Sequence, residues 1–193
     1  MIPLDGNRPD IDRLSIEEGA QLAQALTLRT AMLDELDGEE SRTVRTLERV
    51  PQERWQWAPH DKSMPMGRLA VHLATLPQVA ISILTTTEFD MTSRRQGDGP
   101  TPPQTAADLV PAVQGLMHQV RELLASASDA DLASDWTFRF GDRVLFGPGP
   151  RATALRTFFL SHMTHHRAQL GVYLRLSGVA VPSIYGPSAD EPM

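Results

Sequence analysis

The chain contains no cysteine. That excludes disulfides, zinc ribbons, iron–sulfur clusters and a cysteine nucleophile, and leaves any metal to His, Asp or Glu. Aromatic residues are few, at 6%. Basic charge is in the minority: 18 Lys+Arg stand against 24 Asp+Glu, a net charge of −6 with no Lys/Arg cluster. Phosphate binding relies on a basic surface, so this balance argues against nucleic acid as the main partner. The N-terminal MIPLDGNRPD lacks the basic and apolar regions of a secretory signal. The most membrane-like stretch, Leu69 to Leu84, holds His72, Pro77 and Gln78 and falls short of the ~20 apolar residues of a span. These absences predict a cytoplasmic protein with no nucleic-acid or membrane partner.

What is present is a chain of 193 residues, 41% hydrophobic and 22% charged. That length predicts a single domain over residues 1–193 with a full apolar core, and residues 1–14 read as a loose arm. Ser15-Ile-Glu-Glu18 has the capping-box pattern. From there to about Val50 the apolar residues recur at helical spacing, giving one long helix in which Gly38 is a candidate break and which Pro51 ends. Ser63 as N-cap and Pro65 in the first turn open a second helix, Met64 to about Phe89, kinked at Pro77. Met91 to Thr105 reads as an exposed loop. Thr105-Ala-Ala-Asp108 opens a third helix, 106 to about 127. Trp136, Phe138 and Phe140 then alternate, and Gly141-Asp142 joins them to Arg143–Phe146 as a two-residue hairpin. Gly147-Pro-Gly-Pro150 stops the hairpin. A fourth helix follows, Arg151 to Ser177, ended by Gly178. The pattern is an all-α four-helix bundle with a small β-hairpin in the crossover before the last helix.

Six histidines occur. On the fourth helix, His162 and His166 are four residues apart and share a face. At about 100° per residue, they fall on the apolar stripe with Leu155, Phe158 and Tyr173, and His165 falls at its edge. On the second helix, His72 falls on the stripe of Leu69, Leu76, Val79 and Ile83. Burying imidazoles without partners is costly, so three inward histidines on two helices point to a shared divalent metal. Three His ligands leave positions open for water or substrate, as in catalytic zinc sites, and the set also suits nickel or ferrous iron. His60 and His118 read as surface residues. Gln169, one turn beyond His166, can orient a water or substrate group or bridge two helices. Arg167 reads as exposed. Trp55, Trp57, Trp136, Phe138 and Phe140 read mainly as core packing, with pocket lining as the second reading.

These residues are recognisable. Leu47-Glu-Arg-Val-Pro51 with Trp57-Ala-Pro-His60, the Ser63–His72 segment, His162-Met-Thr-His-His166-Arg-Ala-Gln169 and Tyr185-Gly-Pro-Ser resemble the DinB/YfiT-like family of metalloenzymes. That family is unrelated to the DNA polymerase that shares the DinB name. One departure is visible: Ala168 stands where the family commonly has glycine. The resemblance covers most of the chain. It implies a four-helix bundle, often a homodimer, with His72, His162 and His166 binding zinc or nickel. Characterised relatives include metal-dependent transferases of low-molecular-weight thiols such as bacillithiol, and a mycothiol-dependent isomerase. The expected function is therefore metal-dependent transfer of a low-molecular-weight thiol to a small-molecule electrophile, with a cofactor supplying the thiol that this chain lacks. Two alternatives stay open: a metal-dependent hydrolase, for which Asp61 and Asp190-Glu191 are the only candidate bases, and a non-enzymatic metal- or ligand-binding stress-response protein.

Overall fold

Thr27 is extended and accepts the backbone N–H of Thr30 on its hydroxyl at 3.3 Å, so a helix begins at the next residue. The structure, a computed structural model, describes residues 27–93 and 101–192. The loose arm at 1–14 and the Ser15 capping box lie outside the described residues. The cap at Thr27 corrects the expectation of one helix running unbroken from Ser15. Helix α1 spans Leu28–Leu47 and passes through Gly38 without a break. It turns Met32, Leu36 and Leu47 inward, and on the same stripe it buries Glu39 and Thr43.

Helix α2 (Met66–Thr75) and helix α3 (Pro77–Thr85) meet at Leu76, which keeps helical backbone angles. Pro77 supplies no N–H at that joint, and its ring has no room in an unbroken helix. The start of α2 also differs from expectation. Pro65 is the N-cap and Ser63 makes no capping bond. The orphan N–H groups of the first turn are taken by the preceding loop instead: Met66 N donates to the Trp57 carbonyl at 2.8 Å and Gly67 N to the Trp55 carbonyl at 2.9 Å. The Trp55 indole lies flat on Gly67, where a Cβ would sit 2.3 Å from ring atoms. Gly67→Ala must therefore push Trp55 off the helix. Overpacking of this kind costs about 1–3 kcal/mol, and a thermal melt with no loss of stability would contradict the contact.

The second helical stretch ends at Thr85, short of Phe89, because Glu88–Asp90 forms a strand, β1. Helix α4 (Ala106–Ser126) opens at the Thr105/Asp108 capping box, as expected. A short helix α5 (Asp129–Ala133), unexpected from sequence, has its own capping box at Ser128 and Asp131. Strand β2 (Asp135–Phe140) and strand β3 (Arg143–Pro150) form the expected hairpin about Gly141, whose φ of +57 suits glycine. Two corrections follow. β3 runs on through Gly147–Pro150, since an edge strand tolerates proline where its N–H would face outward. The hairpin is also part of a three-stranded sheet of order β1-β2-β3, with β1 parallel to β2. Asp90 ties β1 to the hairpin turn by accepting the Gly141 N–H at 3.0 Å.

Helix α6 (Arg151–Leu155) continues through a π-helical turn, Arg156–Leu160, into helix α7 (Ser161–Leu176). The chain is thus mostly helical with a small sheet. α4 packs on α1, α2 and α3, and α7 packs on α1 and α2. Leu69, Leu73, Leu109, Met117, Met163 and Leu170 lie in the shared core. By length and composition Met66–Thr85 could cross a membrane, yet half of that window is buried in the fold.

Candidate metal centre

α2 and α7 lie against each other, and this packing brings the three predicted histidines together. His72 comes from the last turn of α2, and His162 and His166 come from successive turns of α7. One ring nitrogen from each lies within 4.8 Å of the others. The His162 and His166 Nε2 atoms are 2.8 Å apart, and the His72 ring centroid is 5.2 Å and 4.5 Å from the two. His166 is buried and the other two are half-buried. His165 is exposed although its ring stacks edge-on to His166, and it stays outside the group. His60 and His118 are exposed, as expected, and His118 faces Glu122 on the same helix.

The second nitrogens of His166 and His162 are engaged. Gln169 Oε1 lies 2.7 Å from His166 Nδ1. An amide oxygen only accepts, so Nδ1 carries the hydrogen and Nε2 presents its lone pair to the cluster. Gln169 thus orients an imidazole, a role not foreseen among the three it was assigned from sequence. The His162 ring hydrogen-bonds the Phe158 carbonyl in the π-turn. Histidines that ligate metals commonly use their other nitrogen in this way. Gln169→Leu should keep the fold and lower metal affinity about 10–100-fold, measured by competition with a chromogenic chelator.

The electrostatics suit a cation as well. Burial lowers the pKa of His72 to about 4, helped by charge repulsion from His166, His162 and Arg68. Burial also lowers His162, aided by His166, and lowers His166 against the bond from Gln169. All three imidazoles are therefore neutral at pH 7, the form that binds metal. Among the described residues no carboxylate joins the cluster. The donor set fits a borderline divalent ion such as zinc or nickel better than calcium or magnesium, which prefer oxygen.

The candidate hydrolytic bases stand elsewhere. Asp190 is paired with Arg175, and Glu191 with Arg45 and Arg49. Asp61 is exposed.

Arg167 corrects its expected exposure: its side chain is only 3% accessible. It donates to Glu39 Oε2 at 2.6 Å, Thr43 Oγ1 at 3.0 Å and the Tyr185 hydroxyl at 2.6 Å. Tyr185 in turn donates to Glu39 Oε1 at 2.6 Å. This knot fastens the residue after His166 to α1 and to the C-terminal tail. Sequence reasoning missed it, though a signal existed: Glu39 stands three residues after Leu36 and four before Thr43, on the inward stripe of α1.

Beside the cluster is a cavity of about 230 Å³, bounded by His72 and His162. Its aromatic wall is Phe89, Trp136, Phe138 and Phe158, and Leu76, Val79 and Met91 complete it. Trp136 and Phe138 both pack in the core and line this space. Phe140 does neither; it is exposed. Trp55 and Trp57 pack against the core away from the cavity lining.

Comparison with known proteins is consistent along the chain. The model of the DinB family matches residues 23–193. "Uncharacterized protein YrdA" of Bacillus subtilis (strain 168) is 31% identical over 131 residues, covering 65% of this chain and 69% of that protein. A crystal structure of the DinB-like protein YjoA from Bacillus subtilis superposes with a TM-score of 0.57 at 19% identity, covering 79% of this chain and 96% of that one. A DinB-like protein from Bacillus cereus ATCC 10987 gives 0.55 at 21% identity, covering 88% and 97%.

Proposed function

The chain belongs to the DinB family, and from that premise we propose that it is a metal-dependent enzyme transferring a low-molecular-weight thiol to a small electrophile. The observation that carries this reading is the opening of a three-imidazole cluster onto an apolar cavity. His72, His162 and His166 would hold a zinc or nickel ion. Such an ion supplies Lewis acidity, which lowers the pKa of a bound thiol and makes thiolate available at neutral pH.

The protein residues do the remaining work. Gln169 holds the His166 ring so that Nε2 faces the cluster. The Phe158 carbonyl does the same for the His162 ring. The cavity walls exclude water from an incoming electrophile, and exclusion of water strengthens every polar interaction at its edge. The absence of cysteine means that the thiol comes from a separate molecule. Hydrolysis is less well supported, because Asp190 and Glu191 are committed to arginines and no carboxylate stands with the histidines among the described residues.

The test is a turnover screen of zinc- and nickel-loaded protein with several low-molecular-weight thiols and a chloro-nitroarene. Thiol-dependent, chelator-sensitive product formation is expected. Turnover of ester or amide substrates without thiol would favour the hydrolase. No turnover of any kind, with metal bound, would favour a binding protein.

A further inference from the structure

The cavity is small, and its chemistry is one-sided. An apolar cavity of about 150 Å³ is enough for benzene. At about 230 Å³, this one holds a single ring with one or two short substituents. A peptide or sugar thiol is too large to enter and too polar to gain from entering, so the space suits the other reactant. The wall is unusually flat. Phe138 lies nearly parallel to Trp136 (18° between planes) and to Phe89 (22°). Phe158 stands edge-on to Phe138, at 67° with centroids 5.2 Å apart. A planar guest can stack on parallel rings and meet an edge from the side, the two arrangements that aromatic pairs favour. Apart from the two imidazoles at one end, no described lining residue carries an ionisable side chain, and the Trp136 indole N–H is directed to Thr86 Oγ1 at 3.4 Å. An ionised group carried into such a space would lose its hydration without a partner.

Building on the metal-dependent transferase reading, we propose that this cavity is the electrophile site and that it selects neutral, single-ring aromatic compounds, with Phe138, Trp136 and Phe158 setting the choice. The reactive carbon of the guest would sit at the imidazole end and its ring against the sheet.

The test uses a matched pair, 4-fluoronitrobenzene and 4-fluorobenzoate. The two have nearly the same shape and differ in charge. Binding is followed by fluorine NMR in the presence of chelator and without thiol, so that it does not depend on a metal. The nitro compound should bind saturably, and the benzoate at least about tenfold more weakly, because only the benzoate must bury a charge. Val79→Trp, which fills the cavity from α3, should weaken the nitro compound by at least about tenfold, with Val79→Phe as the milder variant in the same direction. Equal or tighter binding of benzoate, no saturable binding of the nitro compound, or a folded cavity-filled variant that binds it unchanged would overturn the proposal. Loss of metal binding in a separate zinc titration would count against the transferase reading alone.

Discussion

His166→Ala should abolish tight binding of zinc or nickel, while His165→Ala, one residue away, should leave it within a few-fold of the unchanged protein. His166 is the hub of the cluster: its Nε2 lies 2.8 Å from that of His162, and its ring is the nearer of the two to His72. It is also the imidazole that Gln169 orients. Removing a residue that only orients a ligand costs about 10–100-fold in affinity, so removing the ligand itself should cost more than about 100-fold. His165 is exposed and about 100° away around the helix. Metal content by elemental analysis of both variants decides the matter. Equal loss from both would mean that the cluster is not the binding site.

Arg167→Ala should produce the largest loss of stability of any single substitution near the site. It takes from Glu39, 4% exposed, its buried cation and leaves only the more exposed Arg42, 3.1 Å from the other carboxylate oxygen. Breaking one side of a buried ion pair costs about 3–5 kcal/mol, which for a chain of this size lowers Tm by about 6–20 °C. Glu39→Ala strands the arginine and should cost a similar amount. The double substitution Glu39→Leu/Arg167→Met should recover much of the loss, because apolar replacement of both partners is often neutral. The pair also titrates. Burial pushes the Glu39 carboxyl up, but hydrogen bonds from Tyr185 and Arg167 and the charges of Arg167 and Arg42 outweigh it and hold the pKa below 4.5. The stabilisation is therefore complete above about pH 4.5 and is lost as pH falls through the lower folded value. Thermal melts of the four proteins measure this, and a double variant no more stable than Arg167→Ala would show that the charges do not act as a pair.

The helices could be read from sequence because their signals are local. Thr105 and Asp108 make their capping box within one turn, and His162 and His166 are adjacent on a helix by spacing alone. The π-turn at Arg156–Leu160 lies upstream of both, so the phase error that it introduces does not reach them. What could not be read depends on distant partners. β1 exists because residues 88–90 find β2 some fifty residues later, and nothing in Glu-Phe-Asp alone separates it from a helix end. Arg167 looks like a surface arginine until Glu39 and Tyr185 arrive from either end of the chain. The loop carbonyls of Trp55 and Trp57 likewise replaced Ser63 as the cap of α2, since a backbone acceptor leaves no mark in a sequence.

The central claim is that three neutral imidazoles on α2 and α7 bind one divalent ion in the folded protein. Ordinary imidazoles, with pKa ~6.5, would each be about nine-tenths protonated at pH 5.5, cutting affinity for a three-histidine site about a thousandfold. Here the folded values are lowered, that of His72 to about 4, so metal binding should survive mild acid better than that. The same shifts work against the metal-free protein. Between the ordinary value and the lowered ones the unfolded chain takes up more protons, so the metal-free fold weakens as pH falls through that window. The decisive measurement is a set of thermal melts with added zinc or nickel and with chelator, at pH 7.5 and pH 5.5. A folded, metal-free protein at pH 7.5 is expected, with stability rising by about 2.7 kcal/mol when free metal is a hundredfold above its dissociation constant, and much of that rise retained at pH 5.5. A melting temperature at pH 7.5 that neither metal raises would contradict the account and leave the three histidines as packing residues.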